Sequence, residues 1–379
     1  MIKELRPATK YELLADEVRK MIKSGKYPPG AKLPSERDLA AMYNVNLTTV
    51  NKTLSNLQAE GLLYREHGKG TFVKEKAKSK TCAFLSYFLN QHSGEIIDGI
   101  EDVLSRHGYR LTIKCSNGNL QKEKESIGEL VNETDGVIVY PMFVRGTSNV
   151  ELFRKFQKNH FPFVLVDRYF ENLECDYSVA DNYSGFYSLT ESLIEKGHSR
   201  IAHLMSPSRS TTVRERLRGY TKALKAHGIP FNDALVKAIS FREDLEYDYF
   251  AEVDSIISSW LNMKAPPTAI TATADGLAVI AMKVLLAKGI NIPGKMALTG
   301  FDNSSLGALA EVPLTSAEVD FVQMGRNAAK TLLIRMESGI FEPCRQIVQP
   351  VKLVERRSTV SGSAYSGIMN KEFTLAIAN

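Results

Sequence analysis

Two groups of residues in this sequence are of types that can do recognition chemistry. The first is Asn46, Thr48, Thr49, Asn51 and Lys52, crowded into the opening turns of a predicted helix, with His67-Gly68-Lys69-Gly70 further on. Short amides and hydroxyls beside a cation can donate to phosphates and to base edges. The second is charged: Asp167-Arg168 after the run FVLV, Arg216 in the sequence R-x-x-G-Y, and Asp302 directly after LTGF. A polyhydroxylated ligand needs planar bidentate donors and carboxylate acceptors of this kind, often with an aromatic face. Catalytic patterns are missing. There is no G-x-G-x-x-G after the first strand of the α/β region, no P-loop, no G-x-S-x-G and no metal-spaced His/Cys set, so neither metal nor cofactor is expected.

The first group lies in the stretch 33–73, which reads as two short helices and a hairpin. Ser35 can cap the first helix with Asp38 three positions on, and Asn46 can cap the second. Val50, Leu54 and Leu57 recur at helical spacing as the buried stripe, which leaves Thr48, Thr49 and Lys52 facing away from it. Gly61 ends that helix, and strands 62–66 and 71–74 flank the turn. An amphipathic helix over 10–24, with Leu14, Val18, Met21 and Ile22 on one stripe, completes a head of three helices and a wing.

The chain has 379 residues, enough for two or three domains. Its net charge of +5 is unevenly spread: residues 1–80 hold 16 basic and 9 acidic residues, a net +7, against 32 and 34 in the remainder. A basic head on a neutral body is the electrostatic footprint of nucleic-acid binding. No run of about 18 apolar residues is present and the N-terminus lacks an apolar leader, so a cytoplasmic protein with no membrane association is expected. The four cysteines are far apart, which fits scattered thiols.

LPSERDLA, the TTV at the helix start and EGLL…GKGTFV make the head resemble the winged helix-turn-helix of the GntR family of bacterial regulators, over roughly the first 74 residues. The resemblance implies groove contacts from Asn46, Thr48, Thr49 and Asn51, support from Ser35, Arg37 and Lys52, and wing contacts from His67, Gly68 and Lys69. Leu47 and Asn51 stand where that family often has arginines. Leu47 either packs inward or touches a thymine methyl.

From Cys82 strands and helices alternate, in two sets of similar size, as expected of a bilobed doubly wound body with a cleft at the carboxyl ends of its strands. DGVIVYP, ADNYSG, RLRGYTKALKAHGI, LTGFDN and MGRNAAKTLL occur in the order seen in LacI/GalR-type regulators, which share their fold with periplasmic sugar-binding proteins. The expected fold is therefore a winged helix-turn-helix (α+β) followed by a bilobed α/β periplasmic-binding-protein-like type I domain. A GntR-type head fused to a LacI/GalR-type body is similar to the arabinose-responsive repressors. The expected domains are 1–74, a linker over 75–80, an effector-binding and dimerisation domain over 81–357, and a disordered tail over 358–379. The resemblance also implies that the last strand, near 347–355, belongs to the second lobe.

It further implies effector contacts from Arg216, Asp302, Asp167 and Arg168, with Tyr87, Gln91 and His92 after the first strand. Tyr169 could stack on a pyranose ring. Asp275 is a further candidate, although as the start of a helix it could serve as a cap instead. Asp181 reads the same way, and Trp260 as core. Ala274 and Val319 replace polar residues that some relatives use. The expected function is a bacterial transcription regulator of the repressor class. It would be a homodimer on double-stranded operator DNA, controlled by a mono- or oligosaccharide. The alternatives are a sugar-binding protein and an enzyme on a doubly wound fold.

Overall fold

The computed structural model describes residues 10–23, 26–74, 79–143, 147–207, 210–240, 249–338 and 343–360. Most of the expected linker (75–78) and the tail from 361 lie outside them. In the head, α1 (Lys10–Lys23), α2 (Glu36–Tyr43) and α3 (Leu47–Ala59) precede the hairpin β1 (Leu63–Glu66) and β2 (Gly70–Val73). Leu14, Val18, Leu39, Val50, Leu54, Leu57, Leu63 and Val73 close its core. The Ser35/Asp38 capping box is formed, and Asn46 accepts the Thr49 N–H at 2.8 Å. Gly68, at φ 74, turns the wing in a conformation that favours glycine.

The body has two lobes. The first is built on a six-stranded sheet, with β3 (Thr81–Ser86), β4 (Arg110–Cys115), β5 (Gly136–Val139), β6 (Phe163–Val166), β7 (Tyr177–Ala180) and β13 (Gln346–Gln349) in the order β13-β7-β6-β5-β3-β4. All neighbours are parallel. The helices α4 (Gln91–Arg106), α5 (Leu120–Glu133), α6 (Val150–Lys158) and α12 (Phe321–Ser338) belong to this part of the chain. The second lobe has the order β11-β10-β8-β9, from β8 (Ile201–Met205), β9 (Val236–Ala238), β10 (Ala269–Ala272) and β11 (Ala297–Thr299). Its helices are α7 (Asn182–Glu195), α8 (Thr211–Ala226), α9 (Tyr249–Leu261), α10 (Asp275–Ala287) and the short α11 (Ser305–Ala308). The inner strands are buried along their whole length, as a sheet covered on both faces requires.

The chain passes between the lobes near 181, 320 and 350, and these crossings are tied together. The Asp181 N–H donates to the Gln349 carbonyl at 2.8 Å, and Gln349 Nε2 donates to the Asp320 carbonyl at 2.7 Å. The third crossing corrects the expected placement of the last strand. β13 completes the first-lobe sheet, and only β14 (Lys352–Val354), antiparallel to β12 (Ser316–Glu318), lies beyond it. The expected tail also begins too early. Ser358 and Thr359 are buried, the Leu298 N–H donates to the Ser358 carbonyl, and the Ser358 hydroxyl donates to the Leu298 carbonyl. The first body strand stops at Ser86, where the hydroxyl donates to the Phe88 carbonyl and turns the chain.

Among the described residues no helix is long and apolar enough to cross a membrane, and no group of three or more His, Cys, Asp or Glu could hold a metal ion.

Candidate effector cleft and DNA-reading head

A cavity of about 610 Å³ opens between the lobes at the carboxyl ends of β3, β5, β6, β8 and β10. Its floor on the second lobe is Arg216, placed by α8. The R-x-x-G-Y motif has a packing reason: a Cβ on Gly219 would come 2.3 Å from the Tyr183 carbonyl oxygen, so α8 lies directly on the α7 backbone. Tyr220 is buried one residue on, with its hydroxyl on the Ile201 carbonyl. That contact fixes the roll of α8 and turns Arg216 into the cleft. Its guanidinium donates to Asn182 Oδ1 at 2.8 Å, to the Thr273 carbonyl and to Asp302 Oδ1 at 3.1 Å, and lies over the Phe301 ring at 3.7 Å. Burial raises the Asp302 carboxyl above its usual range, and Arg216 and His92 oppose that. Asp302 and Asp167 have φ values of 99 and 65, uncommon for residues with a Cβ and found where a site constrains the backbone.

Facing this floor, the first lobe supplies Asp167 and Arg168. Arg168 Nε donates to Asp167 Oδ2 at 3.0 Å, and the guanidinium lies over both the Tyr87 and Tyr140 rings at 4.9 and 4.8 Å, the two rings themselves meeting edge to face at 4.8 Å. His92 lines the same cavity, stacked on Phe321. The cleft thus carries two arginine–carboxylate pairs on opposite walls with aromatic faces between them, an arrangement suited to a neutral ligand rich in hydroxyls.

Five of the expected residues lie together here: Tyr87, His92, Asp167, Arg168 and Asp302, around Arg216. Three others have different places. Gln91 sits at the rim, where its Oε1 accepts from the Ser305 hydroxyl at 2.7 Å. Tyr169 does not line the cavity: its ring stacks on Tyr177 at 4.5 Å and its hydroxyl donates to Glu215. Asp275 neither lines the cavity nor caps α10, whose cap is Ala274 without a side-chain bond. Its carboxylate accepts from the Ser304 N–H at 2.6 Å and from the Ser316 hydroxyl at 2.7 Å, which ties down the chain beyond Asp302. Burial pushes this carboxyl up to about 6. Asp181 does cap its helix, accepting the Ser184 N–H, and Trp260 is core. Ala274 lines the cavity, whereas Val319 is buried.

Sequence reasoning missed Asn182, Thr273, Tyr140 and Glu123. Asn182 lies inside the quoted ADNYSG, but its partner is 34 residues away. Glu123 is buried on α5 and holds the cavity wall, accepting the Met142 N–H and the Asn149 amide, and burial pushes it up to about 7.

In the head, Arg37, Thr48, His67, Gly68 and Lys69 are exposed and Thr49 is half-buried. Ser35 and Asn46 act as caps. Asn51 is engaged internally: its amide donates to Glu36 at 2.8 Å and its oxygen accepts from Arg65 at 3.1 Å. Lys52 lies 4.8 Å over the Tyr11 ring, which turns it toward α1. Leu47 is 46% exposed, so it does not pack inward.

A winged helix-turn-helix joined to a bilobed cleft domain defines the class: this is a DNA-binding transcription regulator with a ligand-binding-type body. Residues 10–73 match the model for bacterial regulatory proteins of the gntR family, and residues 190–359 match a periplasmic binding protein-like domain. The chain is 29% identical to the arabinose metabolism transcriptional repressor of Geobacillus stearothermophilus over 360 residues, 92% of this chain and 97% of that protein. It is 28% identical to the repressor of the same name from Halalkalibacterium halodurans, over 95% and 99% of the two chains. Among solved structures, a putative LacI regulator from Bacillus cereus subsp. cytotoxis superposes with a TM-score of 0.65 at 25% identity, covering 74% of this chain and 98% of that one. A transcriptional regulator CelR–cellobiose complex does so with a TM-score of 0.65 at 23%, covering 86% and 100%.

Proposed function

We propose that this protein is a cytoplasmic repressor that binds operator DNA as a homodimer and is released or retained by a sugar in the cleft. The observation that carries the effector reading is the buried Arg216–Asp302 pair at the cleft floor, opposite Asp167–Arg168. Both carboxylate residues line the cavity, and both arginines are held in place by their partners. The arabinose repressors among its relatives support a sugar rather than another polyol. No catalytic role is assigned to any residue of the cleft.

In this reading the head spans 1–74 and the effector-binding and dimerisation domain runs from 81 through Thr359, which is packed into the body. Arg37, Thr48, Thr49, His67, Gly68 and Lys69 meet the DNA, whereas Asn51 and Lys52 serve the packing of the head first. Two heads related by a two-fold axis would set the half-site spacing of a pseudo-palindromic operator. Leu306 and Leu309, 56% and 86% exposed beside Val279, Met282 and Leu286 of α10, support an apolar dimer contact on the second lobe. DNase protection of the chain's own upstream region, with and without sugars, tests the whole. No protected site under either condition sinks the proposal. A thermal-shift screen against mono- and disaccharides identifies the effector, since a ligand that binds the folded state raises its Tm.

A further inference from the structure

Across one rim of the cleft the lobes are joined by bonds that none of the roles above uses. The loop after β6 carries Tyr169 and Glu171, and the first turns of α8, on the other lobe, carry Thr211, Arg214 and Glu215. Tyr169 Oη donates to Glu215 Oε1 at 2.8 Å, its backbone N–H donates to Thr211 Oγ1 at 3.2 Å, and Arg214 pairs with Glu171 at 2.5 Å. The outer ion pair is exposed and contributes little. The Tyr169–Glu215 bond is half-withdrawn from water and charge-assisted, so it is the strong member of the set. Tyr169 is also aimed by its own lobe, its ring lying 14° from parallel to Tyr177 of β7.

Glu215 and Arg216 are consecutive on α8 but serve different sides. Arg216 turns to the cleft floor of its own lobe, and Glu215 reaches across to the other lobe. We propose that Tyr169–Glu215 is an interlobe latch: it biases the body toward the closed arrangement and makes Glu215 a positioning residue for the α8 end that presents Arg216. A ligand that favours closure then binds more tightly, because less of its binding free energy is spent on bringing the lobes together. Only this last consequence rests on the effector reading. A hydrogen bond to a charged group shifts such an equilibrium by about tenfold.

The test uses the full chain with spin labels at Lys124→Cys and Lys264→Cys, both exposed and one on each lobe, in a Cys115→Ser, Cys344→Ser background. Label-to-label distances are measured without ligand. Tyr169→Phe should add a longer-distance population, Glu215→Gln, which keeps an acceptor oxygen but loses the charge, a smaller one, and the double variant no more than Tyr169→Phe alone, because all act on one bond. Unchanged distances in Tyr169→Phe overturn the proposal, including when its Tm falls, since that would be support without closure. Tyr169→Phe removes one oxygen and keeps the stack on Tyr177, so it decides the matter even where Glu215→Gln does not fold. Altered distances with no sugar bound in the thermal-shift panel would remove the effector reading and leave the latch. A sugar bound with unaltered distances would do the reverse.

Discussion

Arg216 and Asp302 meet at 3.1 Å with side chains 6% and 9% exposed, although 86 residues separate them in sequence. A buried pair of this kind is held by geometry rather than by gross attraction, because each charge has lost its water. Asn182 and the Thr273 carbonyl take up further donors of the guanidinium. The floor of the cleft is therefore held by the protein's own contacts.

Replacing Arg216 by Ala should abolish the response to the effector while operator binding persists. Asp302 would then stand buried without its partner, so stability should also fall, by about 3–5 kcal/mol. Gel-shift titrations with the sugar found in the thermal screen check this. Sugar-dependent release in the variant would count against the assigned cleft.

Replacing Thr49 or Lys69 by Ala should weaken operator binding and leave sugar affinity, measured by calorimetry, unchanged. For Lys69, which pairs with Glu66 of its own wing, the slope of log K against log salt should fall by about 1 if it neutralises a phosphate. An unaltered slope removes Lys69 from the phosphate contacts.

Gly219→Ala should destabilise the body by about 1–3 kcal/mol or more, because the new methyl meets the Tyr183 backbone rather than a flexible side chain. The same change should weaken sugar binding, since α8 cannot back away from α7 without carrying Arg216 with it. Chemical denaturation and calorimetry on one preparation read both effects.

His203 should make stability fall on acidification. Burial holds its imidazole down to about 3, where it is stacked on Tyr220 with Nδ1 at 2.9 Å from Thr271 Oγ1. The unfolded chain takes up that proton near 6.5, so the contribution is complete above that pH and is lost as pH falls toward 3. Between pH 6.5 and 4.5 the loss from this group amounts to about 2–3 kcal/mol. Glu123 and Asp275, raised to about 7 and about 6, act in the opposite direction over the same range. The informative quantity is therefore the difference in unfolding free energy between the natural chain and His203→Asn at each pH. A pH-independent difference would contradict the assignment.

Local chemistry was legible in the sequence. The Ser35/Asp38 box, the Asn46 cap, the Val50–Leu54–Leu57 stripe and the strand-helix rhythm all involve neighbours within a few residues, where periodicity and capping geometry act directly. The positions of Asp167, Arg168 and Asp302 at strand ends were readable for the same reason. What only the tertiary structure decided is which side chains have partners. Tyr169 looks like a sugar platform until Glu215, 46 residues on, takes its hydroxyl. Asp275 looks like a cap until Ser304 and Ser316 surround its carboxylate, and Asn51 looks free for DNA until Glu36 and Arg65 engage it. The last strand joins the first lobe and not the second, because parallel pairing of β13 with β7 depends on a crossing that no local pattern encodes. Secondary structure follows from short-range sterics and hydrophobic period, whereas the occupancy of a polar side chain is settled by whatever the rest of the chain brings within hydrogen-bonding reach.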